Sequence, residues 1–389
     1  MARIRLRMFF SFFVILAMFS MYLPQVNASE VSLAKQSQAA VLMDVATGTV
    51  LFEKESHKHL PIASVTKIMT MLLVMEAVDT GKIKLSDKIR TSEHAASMGG
   101  SQIYLEPGEE MTLNDMLKGI AIGSANDACV AVAERIAGTE EAFVAMMNKK
   151  VQELGMKDTH FANTNGLPAN DHYSSAYDIA IMSRALLQHE KITHWTSVYS
   201  DYLRKDSEKP LWLVNTNKLV KFYPGMDGLK TGFTAEAKYC LAATAKRDQF
   251  RVVAVVLGAP TSPIRNQQIT QLMDFAFSQY HSQLIYKANQ VVEKVKISKG
   301  KQDSIELVAE KPLGVLMKKG EQLTGIQKQV VVTVQKAPVH KGQVIGYITI
   351  AKDGKELGRV NLLANQEIEK ANLWDMVKRT FRGVVFFGR

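Results

Sequence analysis

Cysteine is nearly absent: Cys129 and Cys240 are the two in 389 residues. Two cysteines make no disulfide framework, so an apolar core must hold the fold. They read as free thiols, with a single bridge between them as the alternative. The nine histidines form neither a His-x-x-x-His nor a His-Glu-x-x-His pattern. That spacing removes a metal site, and no cofactor is expected. Acidic residues are missing from the first 28 positions, where Arg3, Arg5 and Arg7 carry the only charges. The apolar run Met8 to Met21 falls short of the about 20 residues that a spanning helix needs. No nucleic-acid motif accompanies the net charge of +10, so a nucleic-acid partner is not expected.

What is present describes an ordinary globular chain. Hydrophobic residues make up 47% and charged residues 22%, and the length suits two domains. The basic start, the apolar run and Val26-Asn27-Ala28 before Ser29 form the three regions of a secretory signal peptide, residues 1–28. An uncleaved anchor is the alternative. Both readings place the protein outside the cytoplasmic membrane. Without the first segment, 45 basic residues face 38 acidic ones, a net +7. This spread charge suits a surface that meets anionic lipid or cell-wall polymer.

Residues 29–281 read as one catalytic domain. Strand-like runs at 40–44 and 49–53 flank a Thr47-Gly48 turn, a hairpin. Ala63 to Met75 reads as a helix apolar nearly all round, and therefore buried, ending near Gly81. A polar loop is expected from Thr91 to Gly108. Thr112 caps a helix from Leu113 to Ile122, which breaks at Gly123-Ser124-Ala125-Asn126. A second helix follows from Asp127 to Ala137 and a third from Glu140 to Leu154. Phe161 to Tyr173 is a loop before a helix from Ala176 to Leu187. Gly225 to Thr234 reads as a strand edge. A second hairpin runs from Tyr239 to Leu257. Ser262 as polar cap and Pro263 at the first helical position then open a helix whose apolar face is Ile269, Leu272, Met273, Ala276 and Tyr280. A hairpin at each end of the region implies one antiparallel sheet built from both ends and covered by helices.

Ser64 and Lys67 lie three residues apart, on one face of the buried helix. Burial disfavours an ammonium, so the lysine can act as a free amine toward the serine hydroxyl. Ser124-x-Asn126 at a helix break holds a hydroxyl and a carboxamide on a short rigid turn. Lys230-Thr231-Gly232 lies on the strand between the hairpins. Each motif alone is weak. Their order and setting are those of penicillin-binding proteins and class A β-lactamases.

On these residues the chain resembles the low-molecular-mass penicillin-binding proteins, serine-type D-alanyl-D-alanine carboxypeptidases. The resemblance runs along nearly the whole chain. The stretches 91–102 and 212–217 look most like the sporulation-associated enzyme of Bacillus-type bacteria. Ala125 departs from the glycine of many relatives, with little expected effect. The resemblance implies an α/β (α+β) fold of β-lactamase/transpeptidase type, an antiparallel sheet with a helical cluster. It implies that Ser64 attacks the penultimate D-alanine carbonyl, Lys67 takes its proton and Ser124 relays a proton to the leaving nitrogen. Asn126 would hold the substrate amide and Lys67, and Lys230 and Thr231 the terminal carboxylate. Gly232 would let the substrate lie along the strand edge. The backbone N–H groups of Ser64 and Phe233 would form the oxyanion hole. The implied partners are a peptidoglycan stem peptide ending in D-Ala-D-Ala and β-lactam antibiotics. No Glu-x-x-Leu-Asn stretch lies between the second and third motifs, so the deacylating glutamate of class A β-lactamases is missing and efficient β-lactamase action is not expected. A D,D-endopeptidase and a catalytically silent wall scaffold are the rival functions. His172 and Cys129 read as structural, the first local to its loop and the second a buried small hydrophobe.

Residues 282–370 alternate Val and Lys in short runs, with a hairpin turn at Lys352-Asp353-Gly354-Lys355, and read as a small β-rich domain. Residues 371–389 place Leu373, Trp374, Val377, Phe381, Val384 and Val385 at helical spacing, with Lys378, Arg379 and Arg382 opposite. This is an amphipathic basic helix suited to the outer face of the cytoplasmic membrane.

Overall fold

The computed structural model describes residues 33–372. The expected signal peptide and all but the first two residues of the expected C-terminal helix lie outside the described residues.

The chain opens with β1 (Ala39–Asp44) and β2 (Val50–Lys54). Their turn is set locally: the Thr47 N–H donates to Asp44 Oδ2 at 2.7 Å. A 3₁₀ turn, Ala63–Thr66, leads into α1 (Lys67–Asp79). Then come β3 (Lys88–Arg90), α2 (Glu93–Ala96), β4 (Glu110–Thr112) and α3 (Leu113–Lys118). A π turn, Gly119–Gly123, joins α3 to α4 (Asn126–Ala137). Next are α5 (Glu140–Glu153), α6 (Ala176–Leu186), α7 (Thr193–Thr196), β5 (Ser200–Leu203), β6 (Leu211–Val214) and α8 (Leu219–Phe222). The region closes with β7 (Met226–Thr234), β8 (Lys238–Arg247), β9 (Phe250–Ala259) and α9 (Ser262–Gln279).

The central sheet has the order β2-β1-β9-β8-β7, every neighbour antiparallel. Both ends of the region supply it, as the two hairpins imply. Its inner strands are buried on both faces, which is why they read as continuous apolar runs. Along β9, Val253, Val255 and Leu257 face the cluster around α1, and Val252, Ala254 and Val256 face α9. That alternation is the two-residue period of a pleated strand. Helix α1 buries ten of its 13 residues, Ile68 to Met75 among them. Such a helix has no solvent face to spare, and truncating one of its buried methionines or leucines costs about 2–5 kcal/mol.

The structure corrects several boundaries. The helix expected over 113–122 ends at Lys118 and passes into the π turn, because the chain must reach Ser124 at φ 65°. The following helix starts at Asn126, one residue early. Thr261, not Ser262, caps α9, its hydroxyl accepting from the Ile264 N–H. Tyr280 belongs to the next strand, β10 (Tyr280–Tyr286). The loop expected over 91–108 holds α2, which is capped by the Ser92 hydroxyl.

Strands β11 (Val291–Lys296), β12 (Ser304–Ala309), β13 (Leu313–Lys318), β14 (Gln327–Val332), β15 (Val344–Lys352) and β16 (Lys355–Ala364) complete the described chain. Five of them form a sheet in the order β11-β12-β16-β15-β14, and β10 pairs with β13. A separate apolar core, including Leu307, Val315, Ile348 and Leu362, lies within them. Strand β10 continues directly from α9, so the expected boundary at 281/282 falls inside a strand. Cys129 and Cys240 are both free and buried.

Candidate active site

The 3₁₀ turn that carries Ser64 is clamped from two sides. A Cβ at Gly232 on β7 would lie 2.5 Å from Ile62 O and 3.2 Å from Ser64 N. A Cβ at Gly166 would lie 1.9 Å from Ala63 O, and Gly166 sits at φ 86°. Only glycine allows these two backbone approaches. Ala63 itself has φ 47°, an uncommon conformation for a residue with a side chain. A local hydrogen-bond chain holds it: His172 Nδ1 accepts from the Ala162 N–H at 3.1 Å. The proton therefore sits on Nε2, which donates to Thr66 Oγ1 at 2.7 Å. Thr66 Oγ1 in turn donates to Ala63 O at 2.8 Å. Burial pushes the His172 pKa down to about 4, so the ring is neutral.

Lys67 starts α1 and is fully buried. Its Nζ donates to Ser64 Oγ at 2.9 Å, Asn126 Oδ1 at 2.7 Å and Asn165 O at 2.6 Å. No carboxylate accepts from it among the described residues, and burial lowers its pKa to about 8. The 3₁₀ turn keeps the Ser64 hydroxyl within reach, as the three-residue spacing requires.

The second motif enters from the π turn. Ser124 is buried in a left-handed conformation between the turn and α4. Asn126 is fixed at three atoms: its N–H donates to Ser101 O and its Nδ2 to Gly99 O, both at 2.7 Å, and its Oδ1 accepts from Lys67. Asp127 anchors the same segment, accepting from the Ile103 and Leu105 N–H groups at 3.1 Å. The loop over 99–105 is thereby tied to α4, and α4 to the lysine.

The third motif lies on β7, an edge strand whose sheet partner is β8. Lys230 is buried, and its Nζ donates to Thr231 O at 3.1 Å. Burial and the nearby Lys67 charge hold its pKa well below the usual lysine value. Thr231 Oγ1 donates to Thr216 Oγ1 at 2.7 Å. Phe233 is exposed and packs against Tyr239, with ring centroids 4.5 Å apart and the planes tilted by 35°. Cys129 lies close enough to feel both lysines, yet burial pushes its thiol up to about 12 and keeps it neutral.

Ser64, Lys67 and Asn126 are thus joined by hydrogen bonds, Ser124 flanks Asn126, and Lys230, Thr231, Gly232 and Phe233 run along the adjoining strand edge. Sequence reasoning missed Asn165 as a lysine partner, since a backbone carbonyl leaves no residue-type signal. It missed Thr216 and the link from His172 to the nucleophile turn. A serine hydroxyl bonded to a buried, partly deprotonated lysine, beside a free strand edge, defines an acyl-transfer serine hydrolase that binds extended substrates.

Comparison with known proteins gives the narrower assignment. Residues 25–261 match the peptidase S11 family, D-alanyl-D-alanine carboxypeptidase, and residues 280–370 match the C-terminal domain of penicillin-binding protein 5. D-alanyl-D-alanine carboxypeptidase DacF of Bacillus subtilis is 56% identical over 349 residues, covering 90% of each chain. DacC of Escherichia coli is 32% identical over 89% of this chain and 88% of its own. Penicillin-binding protein 5 of Haemophilus influenzae superposes with a TM-score of 0.67 at 29% identity, over 88% of this chain and 99% of that one. The chain belongs to the peptidase S11 family and is a serine D-alanyl-D-alanine carboxypeptidase.

Proposed function

We propose that Ser64 forms the acyl-enzyme through which the terminal D-alanine leaves a peptidoglycan stem pentapeptide. The Lys67 contact to Ser64 Oγ, with no carboxylate among the described residues accepting from the lysine and burial outweighing the Asp127 charge, carries this reading. Lys67 as amine takes the Ser64 proton, Oγ bonds to the penultimate D-alanine carbonyl, and Ser124 passes a proton to the departing nitrogen. The Ser64 and Phe233 N–H groups receive the oxyanion, a role supported by the close approach of Gly232 to Ser64 N. Asn126 orients the substrate amide, while Lys230 and Thr231 hold its carboxylate. Water then frees Ser64.

Penicillin mimics this substrate and acylates the same serine. Support comes from penicillin-binding protein D2 of Listeria monocytogenes, solved in the ampicillin-bound form, which is 31% identical over 64% of this chain and 99% of its own, with a TM-score of 0.57. With no class A deacylating glutamate motif in the sequence, release is slow. The test is Ser64→Ala: D-alanine release and labelling by fluorescent penicillin both vanish. Labelling that persists refutes the assignment. A D,D-endopeptidase would use the same residues, and free D-alanine release measured against cleavage of a cross-linked dimer separates the two.

The N-terminal signal pattern and the basic amphipathic tail support export and peripheral anchoring at the outer face of the cytoplasmic membrane. Removing residues 373–389 releases the enzyme from membranes; a truncated enzyme that still sediments with them refutes the anchor. The stretches 91–102 and 212–217 support a role in spore formation.

A further inference from the structure

Thr216 belongs to none of the three motifs, yet the fold spends two buried amides on placing it. Asn215 Nδ2 donates to Thr196 O at 3.0 Å and to Val198 O at 2.9 Å. Its Oδ1 accepts from the Asn217 N–H at 2.8 Å. Asn217 Nδ2 donates to Gly228 O at 3.0 Å, and its Oδ1 accepts from the Leu219 N–H at 3.2 Å. Both asparagines are 1% exposed. Between them the Thr216 N–H donates to Ile122 O at 3.3 Å, two residues before Ser124. The backbone of Thr216 is therefore tied to the turn that presents Ser124, and its side chain meets Thr231 on β7. Thr216 is only half-buried, so it opens toward solvent between these two elements.

The protons can be counted. Two hydroxyls carry two protons, and one lies in the 2.7 Å bond between Thr231 and Thr216. Among the described residues no group accepts the other. Whichever hydroxyl donates inward, one O–H is left for a ligand, and it is polarised by the bond behind it. Lys230 Nζ, on the residue before Thr231, uses one donor on Thr231 O and has others left. A carboxylate has two acceptor oxygens, one for the ammonium and one for the free hydroxyl.

We propose that Thr216 is a specificity-determining residue: with Thr231 and Lys230 it forms a three-group cradle that reads the free carboxylate of the leaving residue. This rests on the carboxypeptidase reading above. A C-terminal amide lacks the charge and turns a donor toward the hydroxyl, so it loses what the cradle offers. Thr216→Val keeps the shape of the side chain and removes the hydroxyl, leaving Thr231 without its partner.

The purified enzyme is assayed with diacetyl-L-Lys-D-Ala-D-Ala and with the same peptide as its C-terminal amide. Acylation by benzylpenicillin and by its methyl ester, measured by competition with fluorescent penicillin, repeats the comparison without turnover. Thr216→Val is expected to lower kcat/KM and acylation for the carboxylate forms about 10-fold or more. The amide and ester change less than about 2-fold, a difference too small to mark a lost hydrogen bond. The preference for carboxylate therefore collapses, and Thr216→Ser restores it. An equal loss on charged and uncharged forms shows a merely structural role and overturns the proposal, as does an unchanged preference. If Thr216→Val does not fold, Thr216→Ser and Thr216→Ala are compared instead, and equal preference in that pair overturns it. Wild-type enzyme that releases no D-alanine from the free acid overturns the carboxypeptidase reading itself, and this inference with it.

Discussion

Acylation of Ser64 should follow the titration of Lys67. The amine form is the base, and burial lowers the Lys67 pKa to about 8 from 10.5. A lysine with that pKa is about 3% amine at pH 6.5, half amine at pH 8 and about 97% amine at pH 9.5. If the proton passes from Ser64 to Lys67, the acylation rate climbs about 30-fold between pH 6.5 and its plateau. The sign is fixed: a depressed lysine pKa makes the base available as pH rises, not as it falls. Single-turnover acylation by fluorescent penicillin, followed by stopped flow from pH 6 to 10, measures the midpoint directly. The same scan on Lys67→Arg tests the source, because a guanidinium stays protonated and cannot serve as base. That variant should acylate about 100- to 10,000-fold more slowly, the usual weight of a positioned base. A wild-type profile flat over this range, or a midpoint near 6.5 that disappears on removing a histidine, refutes the assignment of Lys67 as base.

Three further outcomes test the scaffold around that pair. His172 is held neutral with a pKa of about 4, against 6.5 in the unfolded chain; the unfolded state binds the extra proton between those values. The stability of the neutral ring is therefore complete above pH 6.5 and is lost as pH falls toward 4, by up to about 3 kcal/mol. Thermal melts of wild type and His172→Gln over pH 4 to 7 check this, and a variant with the same slope as wild type contradicts it. Gly166→Ala would put a Cβ 1.9 Å from Ala63 O at a positive φ, so melting temperature and penicillin acylation should both drop, acylation by 100-fold or more as the 1 Å scale of misplacement implies; acylation within a few-fold of wild type would show that the clamp is not needed. Asn126→Ala removes one of the three acceptors of Lys67 Nζ and frees the loop at Gly99; acylation should drop about 100-fold and the pH midpoint should fall or stay, because an acceptor that favours the ammonium is lost, and a midpoint that rises contradicts this reading of the contact.

The sequence was most legible where burial dictated residue type. Lys67 and the apolar residues of α1, and the apolar runs of β8 and β9, sit in the deepest parts of the domain, where periodicity and composition carry the strongest signal. Where the chain turns over a few residues the signal fades. Strands β3 and β4 have three residues each, too few to show a period of two, and they pair across the two ends of what reads as a polar loop. The π turn at 119–123 has the apolar pattern of a continuing helix; only the need to bring Ser124 round marks the break. The site was legible in its side-chain chemistry and not in its backbone chemistry. Asn165 contributes a carbonyl, Gly99 and Ser101 contribute carbonyls, and Ile62 and Ala63 set the clearance at Gly232 and Gly166. Any residue can supply a carbonyl, so none of these leaves a mark in residue type.

If Lys230 receives the substrate carboxylate, as proposed above, the two buried lysines link that binding to the chemistry at Ser64. Lys67 has three oxygen acceptors and Lys230 has one, and neither donates to a carboxylate among the described residues. Arg265 adds to the positive field at Lys230. Two ammonium groups cannot both be held in a desolvated pocket without cost, and Lys230 is the one whose pKa the other lysine lowers. A substrate carboxylate at Lys230 supplies the missing countercharge and favours the charged form there. A charge on Lys230 then works against a charge on Lys67, the direction in which the base must move to accept the Ser64 proton. Binding the leaving residue by its carboxylate and activating the nucleophile are on this account one electrostatic event. A free acid terminus matters to the chemistry as well as to recognition for that reason.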